Sequence, residues 1–304
     1  MVMVSVENLG REYGARTALA GVAFEVREGE LFGVLGPNGG GKSTLFRILA
    51  TMLPASSGWA RVAGYDVERQ PAEVRKRIGV VFQSQSLDKK LTVEENLRGQ
   101  GHLFGLHGRA LSARIVEVMG RLGLAERRGD LVETLSGGLR RRVEIAKGLL
   151  HRPSVLLMDE PSTGLDPGAR RELWQYIEEL REQQGITVLV TTHILDEADH
   201  AGRLLLLHQG RAVAEGTPAK LKSGIGGDVV TLEVAEPAAM IEQLQARLGV
   251  RAQAANGSLR VEIGNGHRFI TEVIEAFPGA VRSVALHKPT LEDVFLDETG
   301  ARLT

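Results

Sequence analysis

The run of residues from Gly36 to Thr44 has the composition of a site for a nucleoside triphosphate. It fits the pattern G-x-x-x-x-G-K-[ST], and its residues are Gly36, Pro37, Asn38, Gly39, Gly40, Gly41, Lys42, Ser43 and Thr44. Glycines allow successive backbone N–H groups to turn toward phosphate oxygens. Lys42 would neutralise the β- and γ-phosphates, and the Ser43 hydroxyl would bind Mg²⁺. An ordinary glycine-rich turn between a strand and a helix is the alternative interpretation.

Two adjacent carboxylates follow a second apolar run, Val155–Met158. Neighbouring side chains at a strand end point in different directions, so Asp159 and Glu160 can perform different tasks. We expect Asp159 to hold Mg²⁺, through a water molecule. We expect Glu160 to orient or deprotonate the water that attacks the γ-phosphate. A solvated acidic turn is the alternative, which the phosphate loop disfavours.

A third segment could bind an anion without a lysine. Ser136, Gly137 and Gly138 precede a helix-like pattern that contains three arginines, residues 140–142. A hydroxyl and exposed N–H groups at a helix start can bind a phosphate. The residues alone leave two readings open: a helix cap followed by a solvated basic face, or a second clamp for a nucleotide, supplied by another copy of the chain.

The elements around these segments predict an α/β fold. The phosphate loop lies between an apolar run, Leu31–Leu35, and a helix-like segment, as its pattern requires. Residues 2–35 read as short strands, and residues 88–130 as a helical subdomain. Strand and helix patterns then alternate at residues 138–150 (helix), 154–158 (strand), 168–184 (helix), 186–191 (strand), 195 onward (helix) and 203–208 (strand). This alternation predicts a mainly parallel sheet with helices on both faces.

A change of composition at Lys222–Gly227 predicts a linker between two domains. Residues 1–222 would form the nucleotide-binding domain. Residues 223–304 would form a small α+β domain, in which two helices pack on an antiparallel sheet with a hairpin around Asn256 and Gly257, followed by a last helix.

The overall composition excludes several classes of function. The 304 residues include 37 Lys and Arg against 38 Asp and Glu, so no broad basic field favours nucleic acid as a partner. Cysteine is absent, which excludes disulfides and thiolate metal sites. The first residues lack the pattern of a signal peptide, and no apolar stretch reaches the roughly 20 residues that span a bilayer. We therefore expect any action at a membrane to require a partner.

In order and spacing, these motifs resemble those of the ATP-binding subunit of ABC transporters, over residues 2 to about 220. The fold implied is the α/β P-loop NTPase of the ABC type, with a mainly parallel sheet core, an N-terminal antiparallel β part and a helical subdomain. The resemblance implies that Ser136, Gly137, Gly138 and Asp166 contact ATP held by a second subunit, in a head-to-tail homodimer. Asp166 belongs to the segment Ser162–Asp166, which is similar to the loop that joins the two sites across such a dimer.

The same resemblance assigns three further residues to the ATP site of the chain itself. Gln83, which follows Val80-Val81-Phe82, would contact ATP and Mg²⁺ and connect the site to the helical subdomain. His193 would be catalytic together with Glu160, although a lone histidine after a strand is otherwise read as structural. Tyr13 would stack on the adenine, and an ordinary turn tyrosine is the alternative. The implied metal ligands are Ser43, Gln83 and Asp159.

Two residues depart from the common pattern of the family. Gly40 occupies a position where many members have alanine, and Leu139 replaces the usual glutamine of the signature. Neither change affects Lys42, Glu160 or His193, so we expect the catalytic residues to remain competent.

The C-terminal segment Lys288–Leu296, with Thr299 and Gly300, resembles the tail of daunorubicin-type drug-resistance ATPases. This branch implies an exporter of drugs, antibiotics, lipids or other amphiphiles. Its ATPase would bind a separate membrane-spanning permease at the cytoplasmic face of the cell membrane. The apolar face of the last helix could pack on its own domain or form a dimer or regulatory contact.

The alternative function is that of an ABC ATPase without transport, in DNA repair or on ribosomes. Repair members carry a long coiled-coil insertion, but only residues 84–135 separate Gln83 from Ser136, without sustained heptads. Ribosome-associated members usually contain two cassettes, whereas this chain has one. A nucleotide-binding module without turnover is disfavoured because every catalytic position is filled.

Overall fold

The computed structural model describes residues 1–255, 257–301 and 303. The chain divides into two compact units, of which the second begins at Pro218. The predicted boundary, between residues 222 and 223, falls instead at the end of a short helix, Pro218–Ser223.

The first unit combines two sheets with helices. Its strands are β1 (Val2–Tyr13), β2 (Arg16–Arg27), β3 (Leu31–Leu35), β4 (Ser57–Val62), β5 (Tyr65–Asp66), β6 (Ile78–Val81), β7 (Val155–Asp159), β8 (Thr187–Thr192), β9 (Arg203–His208) and β10 (Arg211–Gly216). Its α-helices are α1 (Lys42–Leu49), α2 (Pro71–Arg75), α3 (Val93–Leu103), α4 (Gly108–Arg121), α5 (Gly137–Leu149), α6 (Pro167–Gln184) and α7 (Leu195–Ala198). Short 3₁₀ turns lie at Ala125–Arg127 and Val132–Thr134.

The central sheet has the strand order β10-β9-β3-β8-β7-β6, and all its pairs are parallel except β10 with β9. Successive residues of β7 pack on opposite faces: Leu156 and Met158 join one apolar cluster, and Leu157 joins the other. Such burial on both faces explains the uninterrupted apolar run in the sequence. The carboxyl ends of β3, β6, β7 and β8 lie along one edge, where ligands bind in open α/β sheets.

The residues before β3 form part of an antiparallel sheet with the order β2-β1-β4-β5. The sequence predicted short strands here, but β1 and β2 form one long hairpin. Tyr13 pairs with Arg16 at its tip. The mainly parallel core with an N-terminal antiparallel part confirms the predicted fold class.

The helical region between β6 and β7 contains α3 and α4, joined by a turn in which Gly105 has a φ of 74°. Thr92 begins α3 with a capping box, since its hydroxyl accepts from the Glu95 N–H while the Glu95 side chain accepts from the Thr92 N–H. Leu97 of α3, Leu111 of α4 and Val143 of α5 share one apolar cluster. Helix α5, which begins at the predicted anion-binding segment, is therefore packed into the helical region.

The second unit is a small α+β domain. Its elements are α8 (Pro218–Ser223), β11 (Asp228–Val234), α9 (Pro237–Leu248), β12 (Ala252–Ala255), β13 (Ser258–Ile263), α10 (Gly266–Ala276), β14 (Val281–His287) and α11 (Leu291–Thr299). The antiparallel sheet has the order β12-β13-β11-β14. Met240 and Leu244 of α9 and Phe269 and Val273 of α10 belong to its apolar core. Of the predicted hairpin turn, Asn256 lies outside the described residues.

Helix α11 is attached to the second unit by a buried charge pair. Thr290 caps the helix by accepting from the Asp293 N–H, and the Asp293 carboxylate accepts from the Thr290 N–H and hydroxyl. The Arg260 Nε on β13 donates to Asp293 Oδ1 at 2.9 Å. Asp293 of the tail motif therefore has a structural role within its own domain. Within the described ranges, no helix combines the length and apolar character needed to cross a bilayer.

Candidate functional site

The loop between β3 and α1 is held so that two of its positions admit only glycine. A Cβ atom on Gly36 would lie 2.2 Å from the Leu207 carbonyl oxygen of β9. Gly41 has a φ of 109°, in the left-handed region that side chains disfavour. The close approach of β9 and the sharp entry into α1 thus explain both glycines.

Lys42 at the start of α1 is a buried cation, with only 3% of its surface exposed. Its Nζ donates to the carbonyl oxygens of Gly36 at 2.7 Å and Pro37 at 3.0 Å. The same nitrogen lies 3.1 Å from Glu160 Oε1. Lys42 and Glu160 therefore form a buried ion pair, and an entering phosphate would compete with the carboxylate for the ammonium group.

Glu160 lies just beyond β7 in a strained backbone conformation, with a φ of 44°. Its N–H donates to the Thr191 carbonyl at 3.1 Å and to the Thr191 hydroxyl at 3.0 Å. Both bonds come from the adjacent strand β8, and Glu160 is 5% exposed. Strain that neighbouring contacts maintain in this way is common at functional sites.

Gln83 and His193, which were predicted only from the family resemblance, both contact the Glu160 carboxylate. The Gln83 Nε2 donates to Glu160 Oε2 at 3.0 Å. The His193 Nδ1 lies 3.2 Å from the same oxygen, without the alignment of a hydrogen bond. The Thr163 hydroxyl donates to it at 3.4 Å. The ends of β6, β7 and β8 therefore bring the predicted residues Gln83, Glu160 and His193 together.

Asp159 and Ser43 face each other across the floor of the site. The Ser43 hydroxyl lies 3.5 Å from Asp159 Oδ1, and the Thr191 hydroxyl donates to the same oxygen at 2.5 Å. Burial raises the pKa of Asp159 above its ordinary value, although these hydroxyls and Lys42 act in the opposite direction. A hydroxyl and a carboxylate are the oxygen ligands that Mg²⁺ prefers, so these two residues fit the metal. Gln83, the third predicted ligand, uses its amide nitrogen to donate to Glu160.

Lys42, Ser43, Gln83 and Glu160 border an open cavity of about 410 Å³. Tyr13 lies at its rim and is 43% exposed, with the Arg11 guanidinium 5.0 Å from its ring centroid. Arg16 and Arg47 also line the cavity, although the sequence did not indicate either. Arg47 lies one helical turn after Ser43, so its position in the sequence could have indicated that it lies near the site. Arg16 lies at the cavity because the β1–β2 hairpin brings it there.

The segment predicted to contact a second subunit's ATP is separate from this cavity. Ser136 caps α5 by accepting from the Leu139 N–H at 3.3 Å, and Ser136 and Gly137 are exposed. Asp166 caps α6, accepting from the N–H groups of Gly168 at 2.9 Å and Ala169 at 3.0 Å. The Ala169 N–H is the main cause of a lowered Asp166 pKa. Ser136, Gly137, Gly138 and Asp166 are not among the residues that line the described cavity.

Glu197 on α7 is a buried residue of the site that sequence reasoning missed. It is 1% exposed and accepts from the Thr192 hydroxyl at 2.6 Å and from the Ser162 hydroxyl. The Thr192 hydroxyl accepts from the Ile194 N–H at 2.9 Å. Glu197 thereby joins the loop after Glu160 to the strand end before His193. No sequence pattern indicated this contact.

Comparisons with known proteins agree with this geometry. The family model described as ABC transporter matches residues 19–163, and one described as an AAA domain, putative AbiEii toxin of a type IV toxin–antitoxin system, matches residues 133–197. A daunorubicin resistance ATP-binding protein of Streptomyces coeruleorubidus is 40% identical over 98% of this chain and 95% of that protein. A linearmycin resistance ATP-binding protein of Bacillus subtilis is 35% identical over 99% of each.

A solved dimer of an ATP-binding cassette in a post-hydrolysis state, bound to ADP and Pi, has a TM-score of 0.64 and 28% identity. It covers 71% of this chain, and 98% of the solved chain is matched. The sequence resemblance to the family and to its drug-resistance branch is confirmed. The chain belongs to the ABC transporter family of ATP-binding proteins.

Proposed function

We propose that this protein hydrolyses ATP as the ATP-binding subunit of an exporter whose membrane-spanning part is a separate chain. The observation that carries the proposal is the convergence of Lys42, Gln83 and His193 on Glu160 beside the phosphate loop. Support also comes from the two relatives named for resistance to daunorubicin and linearmycin, which match over nearly their whole lengths.

In the proposed reaction, Glu160 accepts a proton from the water that attacks the γ-phosphate. When ATP binds, its phosphates attract the Lys42 ammonium group, because they carry more negative charge than one carboxylate. The ion pair between Lys42 and Glu160 then opens, and the carboxylate becomes free to act as a general base. Gln83 holds its other oxygen through a hydrogen bond, and His193, which lies 3.2 Å from the same oxygen, serves as the second catalytic residue. ADP and phosphate are the products.

Ser43 and Asp159 are the proposed residues that hold Mg²⁺, with Gln83 as a further contact. The ion supplies neutralisation of the charge on the β- and γ-phosphates. Among the described residues, no cluster of three or more His, Asp or Glu could hold a metal by itself. This agrees with a magnesium ion that is held jointly by the protein and the substrate.

The second half of the ATP site is proposed to come from a second copy of the chain. Ser136, Gly137 and Gly138 would contact the γ-phosphate of the partner's ATP, and Asp166, in the loop that joins the two sites, would contact the same ATP. Their separation from the cavity of their own chain and the exposure of Ser136 support this arrangement. The N–H groups at the start of α5 favour an anion there. Hydrolysis removes the phosphate that bridges the two copies, so the dimer reopens.

The proposed docking site for the permease is a groove of about 330 Å³ beside α3 and β6. Its lining includes Val80, Phe82 and Phe104, and Leu103 nearby is 81% exposed. A permease segment seated there would lie next to Gln83 and feel the movement of the helical region. Through this contact the protein would be held at the cytoplasmic face of the cell membrane. The proposed cargo class is drugs, antibiotics, lipids or other amphiphiles.

The test is to express the tagged chain with the membrane protein encoded beside it, and to purify the pair in detergent. We expect a chain with about six membrane spans to co-purify. We also expect Mg²⁺-dependent phosphate release that rises when daunorubicin is added as a probe. Co-purification of ribosomes or of DNA-repair proteins, with no membrane chain, would support the ABC ATPase without transport instead.

A further inference from the structure

Helix α5 carries three charged side chains on one face, and they point toward the segment that contains Gln83. Arg141, Glu144 and Lys147 are spaced three residues apart, which places them in one row. Arg141 is 5% and Glu144 is 2% exposed. The alternative of a solvated basic face, which the residues alone left open, therefore does not apply to Arg141. We call these three residues the charged clamp.

Arg141 holds the backbone on both sides of the peptide bond that joins Phe82 to Gln83. Its Nη1 donates to the Phe82 carbonyl at 2.7 Å, and its Nη2 approaches the Gln83 carbonyl at 3.3 Å. A guanidinium group presents its N–H donors in a planar fork, so two carbonyls held in this way lose much of their freedom to move. Arg141 thereby fixes the backbone from which the Gln83 side chain reaches Glu160.

The other two members of the clamp hold Ser86. Glu144 accepts from the Ser86 N–H at 2.5 Å and from its hydroxyl at 2.7 Å. The Lys147 Nζ approaches both the Ser86 carbonyl and its hydroxyl at 2.9 Å. Hydrogen bonds to ionised groups are stronger than those between neutral groups. The segment from Phe82 to Ser86 is thus bound at both ends to α5.

Helix α5 and the clamped segment Phe82–Ser86 together connect two residues with proposed roles in ATP hydrolysis, Ser136 and Gln83. Ser136 at the N-cap of α5 is exposed and is the proposed contact for the partner's ATP. Gln83 at the other end donates to the proposed catalytic base, Glu160. A hydrogen-bonded helix moves as one element, so a displacement of its first turn also displaces the side chains further along it.

We propose that the charged clamp is the mechanical link between the two halves of the ATP site. When ATP on the second copy engages Ser136–Gly138, α5 shifts, and the clamp carries Phe82–Ser86 with it, which changes the position of Gln83 relative to Glu160. Arg141, Glu144 and Lys147 are therefore positioning residues, which do not touch ATP. This inference rests on the proposed ATPase function.

The test compares Arg141→Met with Arg142→Met. Both substitutions remove one positive charge from α5, but Arg142 contacts Glu172 and Tyr176 on α6 instead of the clamped segment. For Arg141→Met we expect kcat for ATP hydrolysis to fall by about 10-fold or more, with KM changed less than about threefold, because misplaced groups impair chemistry more than binding. For Arg142→Met we expect kcat close to that of the unmodified protein.

A second readout does not require activity. Hydrogen–deuterium exchange of peptides covering residues 82–88 should be faster in Arg141→Met than in Arg142→Met, because the segment loses its anchor. Ser86→Ala, at an exposed position, weakens the same link less severely and should also lower kcat, by a smaller factor.

Equal kcat and equal exchange in Arg141→Met and Arg142→Met would overturn the proposal. A kcat loss in Arg141→Met matched by a similar rise in KM would also overturn it. An inactive unmodified protein would instead reject the ATPase function, while the exchange result would still report on the clamp.

Discussion

Replacing Glu160 by glutamine is expected to lower the turnover number for ATP by about 10³-fold while ATP still binds. The amide has nearly the same shape as the carboxylate and can still accept from Gln83 through its oxygen, but it cannot take a proton from water. General-base catalysis contributes about 10²–10⁴-fold to enzymatic rates. The substitution also releases Lys42 from its ion pair, so nucleotide affinity should be equal or higher. Phosphate release and equilibrium ATP binding measure the two effects separately.

Glu172→Gln is the matched control for this substitution, since Glu172 is an exposed carboxylate on α6. We expect it to retain nearly full turnover. A Glu160→Gln variant that retained turnover within about tenfold of the unmodified protein would contradict the assignment of Glu160 as the general base.

Replacing Lys42 by methionine is expected to weaken ATP binding by about 100-fold. Lys42 would pair with the phosphates of bound ATP, and loss of one partner of a charge pair between two binding partners costs about 2–5 kcal/mol. Without Lys42, the buried Glu160 carboxylate would also lack its ion-pair partner and would repel the incoming phosphates. Isothermal titration calorimetry of the variant with ATP measures the loss.

The double variant Lys42→Met with Glu160→Gln separates attraction from repulsion. If the unpaired carboxylate causes part of the loss, the double variant should bind ATP more tightly than Lys42→Met alone. Equal affinities of the two variants would show that Lys42 acts only through its own charge, and that its ion pair with Glu160 does not influence ATP binding.

Local sequence patterns were enough to predict the phosphate loop and the two carboxylates. Both motifs come directly after the end of a strand, and a strand that is buried on both faces can be recognised in the sequence as an apolar run. The comparisons confirm the fold class that this alternation of strands and helices predicted. Gln83 and His193 could be predicted only from the family resemblance. A single polar residue after a strand does not by itself indicate a catalytic or binding role.

Contacts made between distant segments could not be predicted from the sequence. Arg16 reaches the cavity through a hairpin, and Glu197 joins two loops through buried hydroxyls. Arg141 looked like part of a solvated basic run, but its guanidinium binds carbonyls 58 and 59 residues away in the chain. Periodicity gives the face of a helix on which a residue lies, but it does not tell which segment packs there.

The two departures from the family pattern have physical explanations in the structure. A Cβ on Gly40 would lie 3.0 Å from the Pro37 carbonyl oxygen, so this loop fits glycine closely. Leu139 is half-buried and packs against the apolar cluster of the helical region. An apolar residue is therefore stabilising at this signature position. Both residues lie outside the contacts that Lys42, Glu160 and His193 make.

Gel filtration of Glu160→Gln shows whether each ATP site is completed by a second copy of the chain. With ATP and Mg²⁺ the variant should elute at twice the 32.9 kDa of one chain, and with ADP it should elute as a monomer. Adding Ser136→Asp, which keeps a good helix cap but repels phosphate, should abolish the ATP-dependent dimer. A monomer in the presence of ATP, or a dimer that Ser136→Asp leaves intact, would contradict a site shared between two copies.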